Sequence, residues 1–232
     1  MKILCIGTLD KFSRFYLDIE HHLKTQAKAN VKLKIYAIHL SGFLYTFFRF
    51  KHSSWISLKS WNIAQRKKKY YTEVINKSES YKGLNYNDHI KYHLKLNKKT
   101  SKKALQIQAL AYIDIFEKIF IKEQPNYLIT IGDTRLSIEI AIAIAKQKNI
   151  SIYHIEQGPF NTTFFDNKGV NANLSIRNES PNYNNSENVT NPKAKLSTGK
   201  YLRSPFYRGL DILFMNFFES TTIYPPDLKY TD

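Results

Sequence analysis

The stretch from residue 102 to residue 155 limits the possible folds of this chain more than any other. It begins with Lys102 to Glu123, where apolar residues recur every three or four positions, as on one face of a helix. The apolar run Tyr127 to Ile131 then predicts a strand. After a glycine turn come a nearly all-apolar helix, Ser137 to Gln147, and a second strand, Ile150 to Ile155. This order is typical of a βαβ unit in a parallel sheet.

The N-terminal residues repeat this arrangement. Lys2 to Thr8 is a short apolar run that predicts a first buried strand. A weaker helical pattern follows as far as Gln26, with Ser13 as its predicted N-cap. Val31 to Ile38 alternates between apolar and polar residues and predicts a second strand. We therefore predict an α/β fold, a Rossmann-like parallel sheet flanked by helices, in a domain spanning residues 1–177.

The composition changes after Arg177. Residues 178–200 are rich in Asn, Ser, Pro, Thr and Lys and contain almost no apolar side chains, which predicts a linker or an exposed loop. Residues 201–232 contain a new apolar segment, Phe206 to Phe218, which predicts a helical tail. Because a single helix is an unusual end for a domain, we interpret the tail as the start of a second domain.

Basic residues outnumber acidic ones, 35 to 19, for a net charge of +16. Such a charge favours polyanionic partners, namely nucleic acid, an anionic membrane surface, or phosphorylated sugars and lipids. A general enrichment in Lys is the alternative explanation. The single cysteine, Cys5, excludes a disulfide within one chain, which suits the cytoplasm. No run of eighteen apolar residues predicts a membrane span.

An unusually aromatic segment, Ser41 to Phe50, is followed by Lys51, Trp55 and Lys59. It could lie on an anionic lipid surface, with aromatic residues on one side and basic residues on the other. It could instead be a helix whose aromatic side chains pack on the sheet, and we favour this second interpretation. The basic run Arg66 to Tyr71 could contact phosphates, but it is more typical of a solvated helix face.

Polar residues follow the ends of two neighbouring predicted strands. Gly132, Asp133 and Arg135 come after the first, and Glu156 comes after the second. Since the carboxyl ends of parallel strands share one edge of the sheet, where ligands bind in open α/β folds, we expect these residues to line one crevice. We predict that Gly132, Asp133 and Arg135 contact the substrate.

Two carboxylates near this edge are candidates for acid–base chemistry. Glu156 is our first candidate for a general base, and Asp166 is the alternative. Gly158 and Gly169 would permit tight turns and the close approach of a ligand. The neutral side chains suited to sugar hydroxyls are those of Asn161, Thr162 and Asn171. In the alternative interpretation, Glu156 caps a turn and residues 166–169 are only a turn.

The run from Glu156 to Asn171 resembles the signature of a known family. Its order is Glu156-x-Gly158-x-x-Asn161-Thr162-x-x-x-Asp166-x-x-Gly169-Val170-Asn171. It is similar to the capsule polysaccharide biosynthesis proteins of the KpsS and KpsC type, in which Glu-x-Gly leads to an acidic residue and then to Gly-Val-Asn. Weaker similarities at Gly132–Arg135 and Phe12–Tyr16 extend the resemblance over the chain up to about Arg177.

This resemblance implies the N-terminal half of a glycosyltransferase with two Rossmann-like halves, the GT-B arrangement. Members transfer the acidic sugar Kdo from CMP-Kdo to a phospholipid-linked acceptor at the inner face of the cytoplasmic membrane. It therefore implies CMP-Kdo as donor without a bound cofactor, a peripheral membrane location, and other capsule-assembly proteins as partners. The sequence has no His, Cys and Asp cluster with metal-ligand spacing, so we expect no metal site. Glu156 and Asp166 are the acidic positions of the motif.

The chain also departs from the family. Gln157 and Pro159-Phe160 differ from the usual residues after the glutamate. We find neither a second Rossmann-like half nor a CMP-binding His-Pro pair after residue 200, so we expect a short or truncated member, or one that works with another chain. The alternatives are a non-catalytic glycolipid- or polysaccharide-binding protein of the same fold and a basic nucleic-acid-binding protein. The sequence contains no recognisable nucleic-acid-binding module.

Overall fold

The computed structural model describes residues 1–49, 51, 53–96, 100–158, 163–177, 202–218 and 225–228. The strands are β1 (Lys2–Gly7), β2 (Lys32–Ala37), β3 (Ser53–Trp55), β4 (Ser80–Tyr81), β5 (Leu84–Asn85), β6 (Tyr127–Ile131), β7 (Ser151–Gln157) and β8 (Thr163–Asp166). The helices are α1 (Asp10–Thr25), α2 (Leu40–Phe47), α3 (Ile56–Arg66), α4 (Lys68–Lys77), α5 (Lys91–Leu96), α6 (Lys102–Glu123), α7 (Leu136–Gln147) and α8 (Pro205–Phe218).

Six strands form one sheet in the order β3-β2-β1-β6-β7-β8. All neighbouring pairs are parallel except β7 and β8, which are antiparallel. Strand order reverses direction between β1 and β6, and in such sheets the ligand crevice lies outside the carboxyl ends of the strands at this point. The predicted fold class, a Rossmann-like parallel sheet flanked by helices, is confirmed.

Helices cover both faces of the sheet because alternate strand residues point to opposite sides. On one face, Tyr16 of α1 packs with the buried side chains of Cys5, Ile35 and Ile129, and its hydroxyl donates to Ile6 O at 2.8 Å. The other face packs mainly against α3, α6 and α7. The central strands β1, β2 and β6 are therefore buried on both sides, as a parallel sheet requires.

Several predicted boundaries are confirmed residue for residue, among them the helix Lys102–Glu123 and the strand Tyr127–Ile131. The prediction that Ser13 caps α1 is wrong. Leu9 occupies the N-cap position, and the Ser13 hydroxyl lies one turn inside the helix, where it donates to Gly42 O at 2.9 Å. A second difference is β8, which forms from residues that we expected to be loop.

The aromatic segment combines features of both interpretations. Ser41, Tyr45 and Thr46 of α2 are buried, whereas Phe47 and Phe48 are exposed. The helix therefore packs on the domain with one face and leaves an aromatic end in solvent. No helix in the described parts of the chain is both long enough and apolar enough to cross a membrane.

Part of the basic run belongs to an ion-pair network centred on Asp114 of α6. Lys67 and Lys82 each place Nζ 2.6 Å from one oxygen of this carboxylate. The hydroxyls of Tyr71 and Tyr81 also donate to it, at 2.8 and 2.9 Å. Burial alone would raise the pKa of Asp114, but these four donors lower it well below its usual range. Through Asp114, Lys67 and Tyr71 stabilise the packing of α4 on α6, and Tyr81 and Lys82 stabilise that of the β4–β5 hairpin.

The described part of the tail packs against the domain. The Asp211 carboxylate accepts a hydrogen bond from Ser41 N, at the start of α2, at 2.9 Å. Near the other end of α2, Arg49 Nη1 lies 3.4 Å from the Tyr207 hydroxyl. These two contacts set α8 antiparallel to α2. The predicted linker, residues 178–200, lies outside the described residues.

Candidate functional site

The end of β6 turns directly into α7. Gly132 has a φ of +79°, a left-handed conformation that glycine adopts without strain, and Arg135 occupies the N-cap position of α7. The first amide of the helix, Leu136 N, donates to His93 Nε2 at 2.9 Å. Burial, with the Arg135 guanidinium nearby, lowers the pKa of His93 to about 4, so the ring is neutral and accepts this bond at neutral pH.

The next strand carries Glu156 to the same edge of the sheet. Glu156 lies within β7, which continues to Gln157, and it is paired in register with Phe164 of β8. His154 lies two residues earlier on the same side of β7. It is buried, and its Nδ1 is 2.9 Å from Thr130 Oγ1. Burial lowers the pKa of His154. The imidazole of His154, which is buried in the sheet below Asp133 and Glu156, is therefore neutral at pH 7.

Asp166 organises the turn that follows β8. Its Oδ1 accepts from Lys168 N at 2.6 Å and Gly169 N at 3.2 Å, and its Oδ2 accepts from Ser175 N at 3.1 Å and Ser175 Oγ at 2.5 Å. These bonds, that of the Ser175 hydroxyl foremost, lower the pKa of Asp166 to about 2. Since a carboxylate has about four acceptor positions, Asp166 is saturated by the protein itself.

The same loop is hydrogen-bonded to residues at the ends of both β6 and β7. Asp133 Oδ2 accepts from Val170 N at 3.3 Å and Asn173 Nδ2 at 2.9 Å. Glu156 accepts from the backbone and side chain of Asn171, at 3.1 and 2.9 Å. Thus Asp133, Glu156 and the Gly-Val-Asn turn, which we predicted to lie at one edge from their sequence positions, form one hydrogen-bonded unit.

Gly169 is required by this close approach. A Cβ at this position would lie 2.4 Å from the Asn173 Cβ and 3.1 Å from Asp133 Oδ2. The space that we expected Gly169 to leave for a ligand is thus filled by the protein. Gly158 is half-buried directly after β7. The predicted substrate contacts Asn161 and Thr162 lie outside the described residues.

Asp166 and Glu156 differ in the capacity that remains on their oxygens. Each Glu156 oxygen accepts one described bond, which leaves further acceptor positions for a hydroxyl proton. Asp166 has none left. The geometry therefore favours Glu156 as the base and Asp166 as the residue that shapes the loop. Among the described residues, no group of three or more His, Cys, Asp or Glu side chains could hold a metal ion.

A cavity of about 170 Å³ lies at the ends of β1 and β2, on the other side of the switch point. Leu9, His39, Trp55, Arg203 and Asp211 are among its lining residues. Burial, together with the nearby Arg135 and Arg203, lowers the pKa of His39 to about 3, so this ring is also neutral at pH 7. This half of the edge is covered by the tail.

Sequence reasoning missed this cavity. Asp10 is fully buried directly after β1, where its Oδ2 accepts from Ser204 N at 3.0 Å and its Oδ1 lies 3.6 Å from Arg203 Nε. Arg203 also pairs with Asp211. The position of Asp10 at the end of the first strand was a usable signal. Arg203 and Ser204 gave none, because the partner that they share, Asp10, lies 194 residues before Ser204.

Lys11 joins the two halves of the edge. Its Nζ donates to Gln157 Oε1, at the end of β7, at 2.8 Å. Burial lowers the pKa of Lys11, and the nearby Asp10 opposes this effect. The ammonium therefore spans the crevice between the ends of β1 and β7, and its partner Gln157 is the residue next to Glu156 in sequence.

No family model matches the chain, and no curated protein matches it. Solved structures with a similar arrangement include the UDP-GlcNAc 2-epimerase of Neisseria meningitidis bound to UDP-GlcNAc, at 14% identity and a TM-score of 0.37. Another is the Methanocaldococcus jannaschii enzyme with UDP-GlcNAc and UDP, at 18% identity and a TM-score of 0.35. Both cover 68% of this chain, which spans only 32% and 33% of their lengths. Similarity at this level carries no information on activity or substrate.

Proposed function

We propose that this chain takes part in capsule or lipopolysaccharide biosynthesis as the acceptor-side half of a glycosyltransferase. It would help to transfer Kdo from CMP-Kdo to a lipid-linked acceptor at the cytoplasmic membrane surface. The observation that carries the proposal is the hydrogen bonding of Glu156 to Asn171, which joins the first and last residues of the motif resembling the capsule proteins. This unit lies at the carboxyl edge of the sheet, where α/β folds bind ligands.

Glu156 is the proposed general base. Its carboxylate would take the proton from an acceptor hydroxyl while the hydroxyl oxygen attacks the anomeric carbon of the sugar. The bond between that carbon and the CMP phosphate oxygen would break, and CMP would leave with the bonding electrons. The acceptor positions left on both Glu156 oxygens support this role. Asp166 would act as a positioning residue, because its own oxygens are already occupied.

The donor would bind elsewhere. In the GT-B arrangement that the sequence resembles, the sugar nucleotide binds a second Rossmann-like half, which can belong to the same polypeptide or to a partner. Asp133 and Arg135 are proposed to face the acceptor from the β6 side of the crevice. Lys11 reaches from the end of β1 to Gln157 at the end of β7, and its ammonium group would add positive charge for a phosphorylated acceptor.

The test is turnover of CMP-Kdo with a lipid-linked acceptor, measured as CMP release in the presence of the donor-binding half. Glu156→Gln keeps the shape of the side chain but removes its basicity, so we expect kcat to fall by about 100- to 10,000-fold. Glu73→Gln, at an exposed position of α4, is the matched control and should leave kcat unchanged. Full activity in Glu156→Gln would rule out the proposed base.

A non-catalytic glycolipid- or polysaccharide-binding protein of the same fold is the second candidate. The saturated carboxylate of Asp166 favours it, since four protein donors leave this acid no acceptor position for a substrate proton. In that case, acceptor binding would be retained in Glu156→Gln, and no CMP would be released by the wild-type protein. Equilibrium binding of the lipid-linked acceptor, measured beside the turnover assay, separates the two functions.

A further inference from the structure

Helix α8 carries two apolar stripes that are offset by one residue and therefore lie about 100° apart around the helix axis. Tyr207, Phe214 and Phe218 face the domain, where Phe214 packs edge-to-face on Trp55 with ring centroids 5.0 Å apart. The outward side carries Phe206, Leu213 and Phe217, which are 61%, 55% and 72% exposed. Their spacing of seven and four residues places them on one stripe of the helix. The first stripe packs on the domain, and the second leaves an exposed apolar surface beside it.

The exposed end of α2 extends this apolar surface. Phe47 and Phe48 are both more than half exposed, and their rings are 5.9 Å apart. They adjoin the start of α8 because the Tyr45 and Tyr207 rings pack 5.6 Å apart and Phe206 contacts Tyr207. We define the α2–α8 face as Phe47, Phe48, Phe206, Leu213 and Phe217.

Among the described residues, arginine side chains lie beside the α2–α8 face. The Arg49 guanidinium stacks on the Tyr45 ring at 3.7 Å, and that of Arg14 lies 5.4 Å from the same ring. Arg208 is exposed on α8. The carboxylate on this helix, Asp211, is directed inward to Ser41 N and Arg203. Within the described residues, α2 carries no charged side chain at all.

We propose that the α2–α8 face docks onto an anionic lipid bilayer, with α8 lying in the plane of the headgroups; the inference rests on the proposed function for its lipid-linked acceptor. Aromatic and aliphatic side chains bordered by arginines are what an interfacial helix presents to such a surface. The net charge of +16 adds a long-range attraction to anionic lipid. The arginines beside the face match the negative charge of such a surface.

Docking in this orientation would bring the candidate site close to the membrane. Helix α2 starts at the carboxyl edge of the sheet, since it follows β2 directly. Asp211, midway along α8, contacts that start, so the second half of α8 with Leu213 and Phe217 extends beyond it on the same edge. Glu156 and Asp133 lie at the ends of β7 and β6, again on this edge. A lipid-linked acceptor could then reach Glu156 without leaving the bilayer.

The test is co-sedimentation of the whole chain with vesicles of phosphatidylglycerol and phosphatidylcholine, and with vesicles of phosphatidylcholine alone. We expect binding to the anionic vesicles that weakens as salt is raised. The double variant Leu213→Glu/Phe217→Glu should bind about ten-fold more weakly or worse, because it places charge in the inserted stripe. Ile121→Glu is the matched control, since Ile121 is an equally exposed apolar residue on α6, and it should bind like the wild type.

Each outcome has a defined meaning. Equal losses in the double variant and in Ile121→Glu, or no binding of the folded wild type, would overturn the proposal. So would a dimer, detected by sedimentation equilibrium, that the double variant dissociates without any vesicle binding by the wild type. Glu156→Gln should bind vesicles normally. Vesicle binding by a wild-type protein that shows no turnover would leave this inference standing while the proposed function fails. Transfer to a soluble acceptor without vesicle binding gives the reverse result.

Discussion

Asp133 and Asn173 are joined by a 2.9 Å hydrogen bond from the Asn173 amide group to Asp133 Oδ2, although 40 residues separate them in sequence. Together with the bond from Val170 N, it makes the end of β6 the anchor of the loop that follows β8. The loop is therefore held by the sheet as well as by its own turn residue, Asp166. Its position relative to Glu156 depends on both attachments.

Replacing the anchor should loosen the loop. Asp133→Ala leaves Val170 N and the Asn173 amide without their acceptor, so we expect the free energy of unfolding to fall by about 1–3 kcal/mol. Urea denaturation measures this change, and faster hydrogen exchange at the Val170 amide would locate it. Thr134→Ala, at the exposed neighbouring position, is the control. Unchanged exchange at Val170 in Asp133→Ala would show that the anchor does not hold the loop.

Two glycines should respond oppositely to alanine. At Gly169, a Cβ would clash with Asn173 at 2.4 Å, so Gly169→Ala should displace the loop and weaken any acceptor binding. At Gly209 within α8, a Cβ meets nothing within 4 Å, and Gly209→Ala should stabilise the helix by about 0.5–1 kcal/mol. Thermal unfolding of the two variants provides the comparison. A stabilised Gly169→Ala protein would contradict the close contact with Asn173.

Asp166 should make the stability of the loop depend on pH in the acid range. Because its folded pKa is lowered to about 2, ionised Asp166 stabilises the loop above its ordinary pKa near 4, and this contribution is lost as the pH falls from about 4 to about 2. Carbon NMR of the carboxyl group should titrate with a midpoint near 2. Ser175→Ala removes the foremost hydrogen bond and should move this midpoint upward. A midpoint near 4 in the wild type would contradict the observed bonding.

His93 should contribute a pH dependence in a different range. Its pKa is about 4 in the fold and about 6.5 in an unfolded chain, so the unfolded state binds more protons between these values. Stability is thus complete above pH ~6.5 and declines as the pH falls toward 4, by about 3 kcal/mol at most. His93→Gln retains an acceptor for Leu136 N but does not titrate. Denaturation between pH 4 and 7 should show a flatter profile for this variant, although His39 and His154 titrate in both proteins.

Local apolar periodicity was sufficient to predict most strands of the sheet and helix α6, because the buried face of an element repeats with the period of that element. It failed for β8, whose four residues are mostly exposed and therefore carry no alternation of apolar and polar side chains. The Ser13 prediction failed for another reason. A serine near a helix start is a good cap, but Gly42 O offered its hydroxyl a buried partner instead.

The candidate site was predictable only as far as strand topology determines it. Parallel strands fix which edge Asp133 and Glu156 share, and both lie there. The partners of these acids were not predictable, since Asn171 and Asn173 reach them only once β8 has reversed the chain. The saturation of Asp166 depends likewise on Ser175, nine residues further on. A motif records the identities of such residues and says nothing about which oxygens are occupied.

The hydrogen bond from Ser204 N to Asp10 spans 194 residues. Long-range closures of this kind cost chain entropy and form late in folding, whereas the local βαβ contacts form early. During synthesis on the ribosome, the buried Asp10 carboxylate must therefore wait for almost the whole chain before it receives its partner. Pulsed hydrogen exchange during refolding should show protection at β1 and β6 well before the amide of Ser204. Until that moment, Asp10 lacks the two partners that the described residues give it in the folded domain, Ser204 N and Arg203.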